Sequence, residues 1–120
     1  MDAPWLCIEQ TNNVVVATTN ATELTEVKAG DLFEELAGRI RYDGAQFLVL
    51  NLASVQMVTS ACLEVLVRLF QELEHIRGQV VLVNCQPYVA SVFRTTRLDA
   101  VFNLYDDLDE AREKVTRLRG

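Results

Sequence analysis

Two segments of the chain are apolar at nearly every position, and they constrain its fold more than any other feature. Residues 47–52 read FLVLNL and residues 80–83 read VVLV. A strand with one face in water alternates apolar and polar residues, whereas a strand covered on both faces is apolar throughout. Both segments are far too short to cross a bilayer. They therefore predict the buried strands of a parallel sheet in an α/β domain.

The first part of the chain predicts a hairpin and a helix. Residues 5–9 and 14–18 are β-prone runs, and the asparagines of residues 11–13 suit a tight turn between them. Asp31, followed three residues later by a glutamate, predicts the start of an amphipathic helix. Gly44 interrupts that helical pattern before the first buried strand.

The second part repeats the alternation of helix and strand. Residues 61–76 form the clearest helix, with a wide apolar face, and Gly78 ends it. Pro87 suits the first position of a short helix. A last short strand is predicted over residues 101–104, and Asp106 begins a final helix.

The predicted order is therefore β-β-α-β-α-β-α-β-α. It indicates an α/β fold with a mixed, mostly parallel sheet, an opening β-hairpin and four helices. The chain has 120 residues and shows no linker or internal repeat, which predicts a single domain over residues 1–120. A chain of this size needs no disulfide or metal to fold, since it can bury roughly two-thirds of its unfolded surface.

Charge and composition exclude several classes of function. Eleven basic residues against seventeen acidic ones give a net charge of −6, which disfavours nucleic acid and anionic membrane surfaces as partners. The single histidine excludes a multi-histidine zinc site. Cys7, Cys62 and Cys85 are far apart and have apolar neighbours, so we expect buried free thiols.

The remaining sequence signals predict no secretion, no cofactor and no catalysis. The first residues, MDAPW, lack a basic and apolar leader, and we expect a cytoplasmic protein. None of the five glycines builds a phosphate-binding loop. Ser60 and His75 would lie roughly 20 Å apart along one helix, at ~1.5 Å per residue, so they cannot share a proton. We expect His75 on the surface near a helix end.

The segment 58–63 reads VTSACL and joins the first buried strand to the long helix. Thr59 or Ser60 can cap that helix by accepting a hydrogen bond from a free N–H. A hydroxyl there could also carry phosphate, because a helix N-terminus stabilises negative charge. Physical arguments alone favour the plain cap. Further along the helix, Glu64 and Arg68 have the spacing of a solvated ion pair.

Five segments in order resemble the STAS domain, the fold of bacterial anti-sigma factor antagonists. Residues 47–55, FLVLNLASV, resemble the strand and turn before the signature loop of that family. Residues 59–63, TSACL, stand where the family usually has Asp-Ser-Ser/Thr-Gly-Leu. Residues 78–84, GQVVLVN, are similar to its next strand. Residues 96–102 and 105–111, TRLDAVF and YDDLDEA, resemble its final segments.

The resemblance implies a non-enzymatic module for partner switching. In that family a serine kinase, which is also the anti-sigma factor, phosphorylates the serine after the aspartate, and the unphosphorylated domain binds this kinase. Ser60 is then the candidate phosphoacceptor. Thr59 stands at the position of the family's aspartate, and Ala61 and Cys62 replace its second hydroxyl residue and its glycine.

The same resemblance predicts a docking surface on the loop and the exposed side of the long helix. The partner-binding candidates are Thr59, Ser60, Ala61, Cys62, Glu64 and Arg68. The expected partner is a serine-kinase anti-sigma factor or another signalling protein. The alternative is a constitutive STAS subunit of a lipid-transport ABC system or of a stress-signalling scaffold, without phosphoregulation. The sequence leaves the oligomeric state open.

Overall fold

A computed structural model describes residues 4–119, apart from the side chains of residues 116, 118 and 119. The strands are β1 (Leu6–Thr11), β2 (Val14–Thr19), β3 (Glu23–Leu24), β4 (Phe47–Asn51), β5 (Met57–Val58), β6 (Gln79–Val83) and β7 (Asn103–Tyr105). The helices are α1 (Glu26–Tyr42), α2 (Ser60–Glu74), α3 (Pro87–Thr95) and α4 (Leu108–Arg119).

The main sheet has five strands in the order β1-β2-β4-β6-β7. β1 and β2 form an antiparallel hairpin with Leu6 opposite Thr19, and Asn12 takes a left-handed conformation in its turn. β2, β4, β6 and β7 run parallel to one another. The predicted fold class is confirmed: a mixed, mostly parallel sheet with an opening hairpin and four helices.

β4 contributes to two hydrophobic cores, one on each face of the sheet. Leu48 and Leu50 join the larger core with Leu32 and Leu36 of α1. Phe47 and Val49 face the other way and join a smaller core with two α4 residues, Ala111 and Val115. All of these side chains are buried. The prediction of strands covered on both faces is therefore correct.

α1 begins five residues earlier than the sequence predicts. Thr25 is its N-cap, and the Thr25 hydroxyl accepts a hydrogen bond from the backbone N–H of Lys28 at 3.5 Å. Asp31 lies inside the helix, one residue after Gly30. The prediction was wrong for two reasons. A glycine inside a helix weakens it but does not end it, and Thr25 stands among other polar residues that could equally have been caps.

The last strand is also displaced from its prediction. It covers Asn103–Tyr105, and a short 3₁₀ helix occupies Leu98–Ala100 just before it. Phe102 lies between the two and is buried, with its ring edge-to-face against Phe70 and Phe93 at centroid distances of 6.3 and 6.0 Å. The apolar residues before β7 therefore fill the core instead of extending the strand.

Two strands that the sequence did not predict lie beside the start of α2. β3 and β5 pair in parallel as a separate small sheet, with Glu23 beside Met57 and Leu24 beside Val58. Each strand has two residues, which is too short to show an alternating pattern. This small sheet brings Leu24 next to the first residues of α2.

The turn after α2 depends on a glycine. Arg77 is left-handed, and the Gly78 N–H donates to the Leu73 carbonyl at 2.8 Å. A Cβ at residue 78 would lie 2.1 Å from the backbone oxygen of Gln46, so no side chain fits there without movement of the backbone. Among the described helices, none has the length and apolarity needed to cross a membrane.

Candidate functional site

Thr59 is fixed between the small sheet and α2. Its hydroxyl donates to the Leu24 carbonyl at 2.9 Å and accepts from the Cys62 N–H at 3.4 Å. The Thr59 backbone N–H also donates to Leu24, at 3.3 Å. Thr59 is therefore the N-cap, one of the two residues predicted for that role, and its hydroxyl is engaged on both sides.

Ser60 is the first residue of α2 and is exposed. Within the described part of the chain, its hydroxyl makes no hydrogen bond. It stands beside the free N–H groups of the first helical turn, where the helix dipole favours an anion. The geometry at Ser60 thus offers an accessible hydroxyl at a position that tolerates the charge of a phosphate.

The loop before α2 is held in place by an amide network. The Asn51 side-chain oxygen accepts from the Ala53 N–H and from the side-chain amide of Asn84, both at 3.1 Å. Gln86, which precedes α3, donates from its side chain to the Ala53 carbonyl at 2.9 Å. Asn84 is left-handed, a conformation that asparagine tolerates. This network ties the loop to the carboxyl ends of β4 and β6.

Two large apolar side chains are exposed on elements next to this loop. Met57 of β5 is 47% exposed and Tyr88 of α3 is 63% exposed. α3 packs beside β5, so the two residues lie on neighbouring elements. Sequence reasoning missed both of them, because a single apolar residue in a loop or at a helix start forms no pattern.

The other predicted docking residues divide between surface and core. Ala61 is half-buried, and Glu64 and Arg68 are exposed on α2. Cys62 is fully buried, so its side chain cannot contact a partner in this conformation, and burial raises the pKa of its thiol from 9.0 to about 12. Its prediction as a contact residue fails for a geometric reason, since its position on α2 faces the core.

Arg68 does not form the expected ion pair with Glu64. Among the described residues, the ion pairs are Arg39–Asp43, Arg41–Glu72 and Arg117–Glu113. The Arg68 guanidinium carbon lies instead 4.2 Å from the centre of the Phe33 ring on α1. Stacking on an aromatic ring has replaced the solvated pair, which would contribute only a few tenths of a kcal/mol.

The remaining residues singled out in the sequence form no second site in the described part of the chain. His75 is the exposed C-cap of α2, as predicted. The prediction of buried thiols is correct for Cys62, whereas Cys85 is only half-buried; it is wrong for Cys7, which is exposed on the edge strand β1. Arg97, just before the short 3₁₀ helix, is left-handed. In the described residues, no cluster of potential ligands could hold a metal ion.

The fold and the site together define an α/β domain whose candidate functional group is an exposed hydroxyl at the open end of a helix. A model of the STAS domain family matches residues 7–111, and the chain belongs to that family. A comparison with curated proteins gives no match.

Solved structures show the same fold. An anti-sigma factor antagonist from Mycobacterium paratuberculosis is 27% identical, over 100% of both chains, with a TM-score of 0.77. Unphosphorylated SpoIIAA is 21% identical, over 96% of this chain and 98% of its own, with a TM-score of 0.74. The phosphorylated form of Bacillus SpoIIAA is 20% identical, over 92% and 98%, with a TM-score of 0.75.

Proposed function

We propose that this chain is a regulatory STAS domain that binds a serine-kinase anti-sigma factor and releases it when Ser60 is phosphorylated. The observation that supports the proposal is that two adjacent hydroxyls differ in their hydrogen bonding and exposure. The Thr59 hydroxyl is used in capping α2 and in binding Leu24, whereas the Ser60 hydroxyl is exposed and has no hydrogen-bond partner in the described chain. Of these two hydroxyls, that of Ser60 can therefore react with a kinase without disturbing the fold.

The relatives support a role of this kind. The structural match from Mycobacterium paratuberculosis is an anti-sigma factor antagonist. SpoIIAA, which shares the fold, has been solved both with and without phosphate. The fold is thus compatible with both states of such a switch. We extend this behaviour to the present chain through Ser60.

The buried cysteine agrees with this proposal. Cys62 stands where the family has a glycine, and a side chain pointing outward there would obstruct a partner or a phosphate. In this structure the Cys62 side chain lies in the core with 0% exposure. The substitution therefore leaves the surface around Ser60 open.

The switch would act by local electrostatics. Phosphorylation adds about −1.5 to −2 charge, and burying that charge against a partner costs affinity. The neighbouring apolar residues Met57 and Tyr88 are the groups a partner would cover, and Glu64 is a further negative charge one turn along α2. Because exposed charges are screened beyond about 8 Å in physiological salt, the net charge of −6 elsewhere contributes little to the switch.

Charge variants of the full chain test this proposal against individually expressed serine-kinase anti-sigma proteins of the same organism. We expect Ser60→Ala to bind as the wild type does, and Ser60→Glu to bind at least about tenfold more weakly. Thr11→Glu adds the same charge at an exposed position of β1, beside the start of β4 and thus at the opposite end of the sheet from Ser60, and is the matched control, with unchanged binding. Mass spectrometry after incubation with the kinase and ATP should locate phosphate on Ser60.

Two results would contradict the proposal. One is the absence of phosphate on Ser60 together with normal release of the kinase by the Ser60→Ala chain. The other is a partner, such as an ABC ATPase or a scaffold subunit, whose affinity is the same for the wild type and for Ser60→Glu. That second result would support a constitutive interaction subunit.

A further inference from the structure

Arg68 is a cation that no described carboxylate neutralises. Its guanidinium lies 4.2 Å from the centre of the Phe33 ring, and no carboxylate of the described residues is within ion-pair distance. No described residue accepts a hydrogen bond from it. The guanidinium lies over the ring, and its N–H groups remain available for a carboxylate, which arginine can bind with two parallel hydrogen bonds.

The carboxylate one turn further along α2 from Arg68 is already occupied. Glu72 accepts two hydrogen bonds from Arg41, at 2.7 and 3.0 Å, and the Arg41 guanidinium carbon lies 5.7 Å from the same Phe33 ring. This bidentate pair holds α1 and α2 together at the surface. It also means that Glu72 cannot turn toward Arg68 without breaking two bonds with Arg41.

These side chains line a groove between the two helices, which we name the α1–α2 groove. It has a volume of about 310 Å³ and opens widely to solvent. Hydrogen-bond donors predominate on its walls, and its charges are two arginines and one carboxylate. The lining residues are Phe33, Arg41, Arg68, Gln71, Glu72 and His75.

We propose that the α1–α2 groove is a docking site for an acidic side chain of a protein partner, with Arg68 as the group that binds its carboxylate. Charge complementarity supports this occupant, because the groove itself is positive: Arg41 is paired with Glu72, whereas Arg68 has no carboxylate partner among the described residues. The openness of the groove supports a protein over a free anion. A small anion there would stay in water and be screened, whereas a partner brings its own surface to exclude water.

The position of the groove allows one partner to cover it together with Ser60. Arg68 is eight residues beyond Ser60 on α2, or ~12 Å along the helix at ~1.5 Å per residue. A surface of ordinary size, roughly 800 Å² per partner, spans that distance. The identification of the partner therefore rests on the proposed function, but the chemistry of the groove does not.

The test is an NMR titration of the isotopically labelled full chain with a short glutamate-rich peptide that has both ends blocked. We expect the peptide to shift the Arg68 side-chain N–H and the Phe33 ring signals, and the peptide with glutamine in place of glutamate to leave them unchanged. Arg68→Gln should weaken binding by about tenfold, and Arg68→Lys by less, since the charge remains. Arg94→Gln, at an exposed arginine on α3, is the matched control and should bind normally.

Three outcomes would overturn the inference, once the amide spectrum shows that the Arg68→Gln chain is folded. These are equal binding by the glutamine peptide, equal binding by Arg68→Gln, and the same shifts from inorganic phosphate at the same concentration, which would indicate a free-anion site. The titration does not involve Ser60. A partner whose affinity does not depend on Ser60 would contradict the proposed function alone. A groove that does not bind the peptide would contradict this inference alone.

Discussion

At the scale of single residues, the site depends on which of two neighbouring hydroxyls is hydrogen-bonded within the fold and which is exposed. Sequence reasoning named Thr59 and Ser60 as possible caps and could not separate them, because both can reach a free N–H of the first turn. The distinction comes from Leu24, which is far away in the sequence and accepts hydrogen bonds from both the hydroxyl and the backbone N–H of Thr59. Only the folded chain brings these residues together.

Substitution of the two hydroxyls should therefore have different effects on stability. We expect Thr59→Ala to lower the free energy of unfolding by about 1–2 kcal/mol, because it removes the cap of α2 and leaves the Leu24 carbonyl with one donor fewer. Ser60→Ala should change it by less than ~0.5 kcal/mol, since that hydroxyl is exposed and makes no hydrogen bond in the described chain. Urea unfolding measures both. A loss at Ser60 as large as that at Thr59 would show that Ser60 is the cap.

At the scale of the elements, the roles of two glycines could not be inferred from the local sequence pattern. α1 extends back through Gly30 to the Thr25 cap, although Asp31 and the glutamate three residues later looked like its beginning. Gly78 looked like an ordinary helix stop, but its real constraint is the close approach of the Gln46 carbonyl from the loop before β4. The same residue type thus has two different roles in this chain.

Alanine substitution of these two glycines should shift stability in opposite directions. Gly30→Ala should raise the free energy of unfolding by about 0.5–1 kcal/mol, because its Cβ would meet no atom within 4 Å and alanine favours the helix. Gly78→Ala should lower it by about 1–3 kcal/mol, since the new Cβ would lie 2.1 Å from a backbone oxygen. Thermal and urea unfolding measure both changes. A neutral result for Gly78→Ala would show that the turn moves aside freely.

At the scale of the whole molecule, the sheet was predictable and the surfaces were not. The continuous apolar runs of β4 and β6 follow from burial on both faces, which is a local signature. The pairing of β3 with β5 and the stacking of Arg68 on Phe33 join residues that are distant in sequence and have no periodic pattern. The fold was therefore accessible to sequence reasoning, whereas the shape of the candidate surfaces needed the folded chain.

The core also predicts how the stability of the whole molecule depends on pH. Burial raises the pKa of the Cys62 thiol from 9.0 to about 12, and that of Cys85 from 9.0 to about 11, where the charge of Arg94 partly opposes the effect of burial. In the unfolded chain these thiols regain their ordinary pKa. Between the two values the unfolded chain has lost protons that the folded chain keeps, so raising the pH favours unfolding.

The contribution of each protonated thiol to the free energy of unfolding is thus complete below about pH 9. It is lost progressively as the pH rises toward the pKa of the folded chain, at up to about 1.4 kcal/mol per pH unit. We expect Cys62→Ala to flatten the fall of unfolding free energy between about pH 8 and about pH 10.5, whatever its effect at neutral pH. Val65→Ala is the matched control, because it shortens another buried side chain of α2 without removing a thiol, and its slope should equal that of the wild type. Urea unfolding at a series of pH values gives the slopes. Equal slopes for Cys62→Ala and the wild type would mean that water reaches the Cys62 thiol in the folded chain, and α2 would then pack less tightly on the sheet than its buried face indicates.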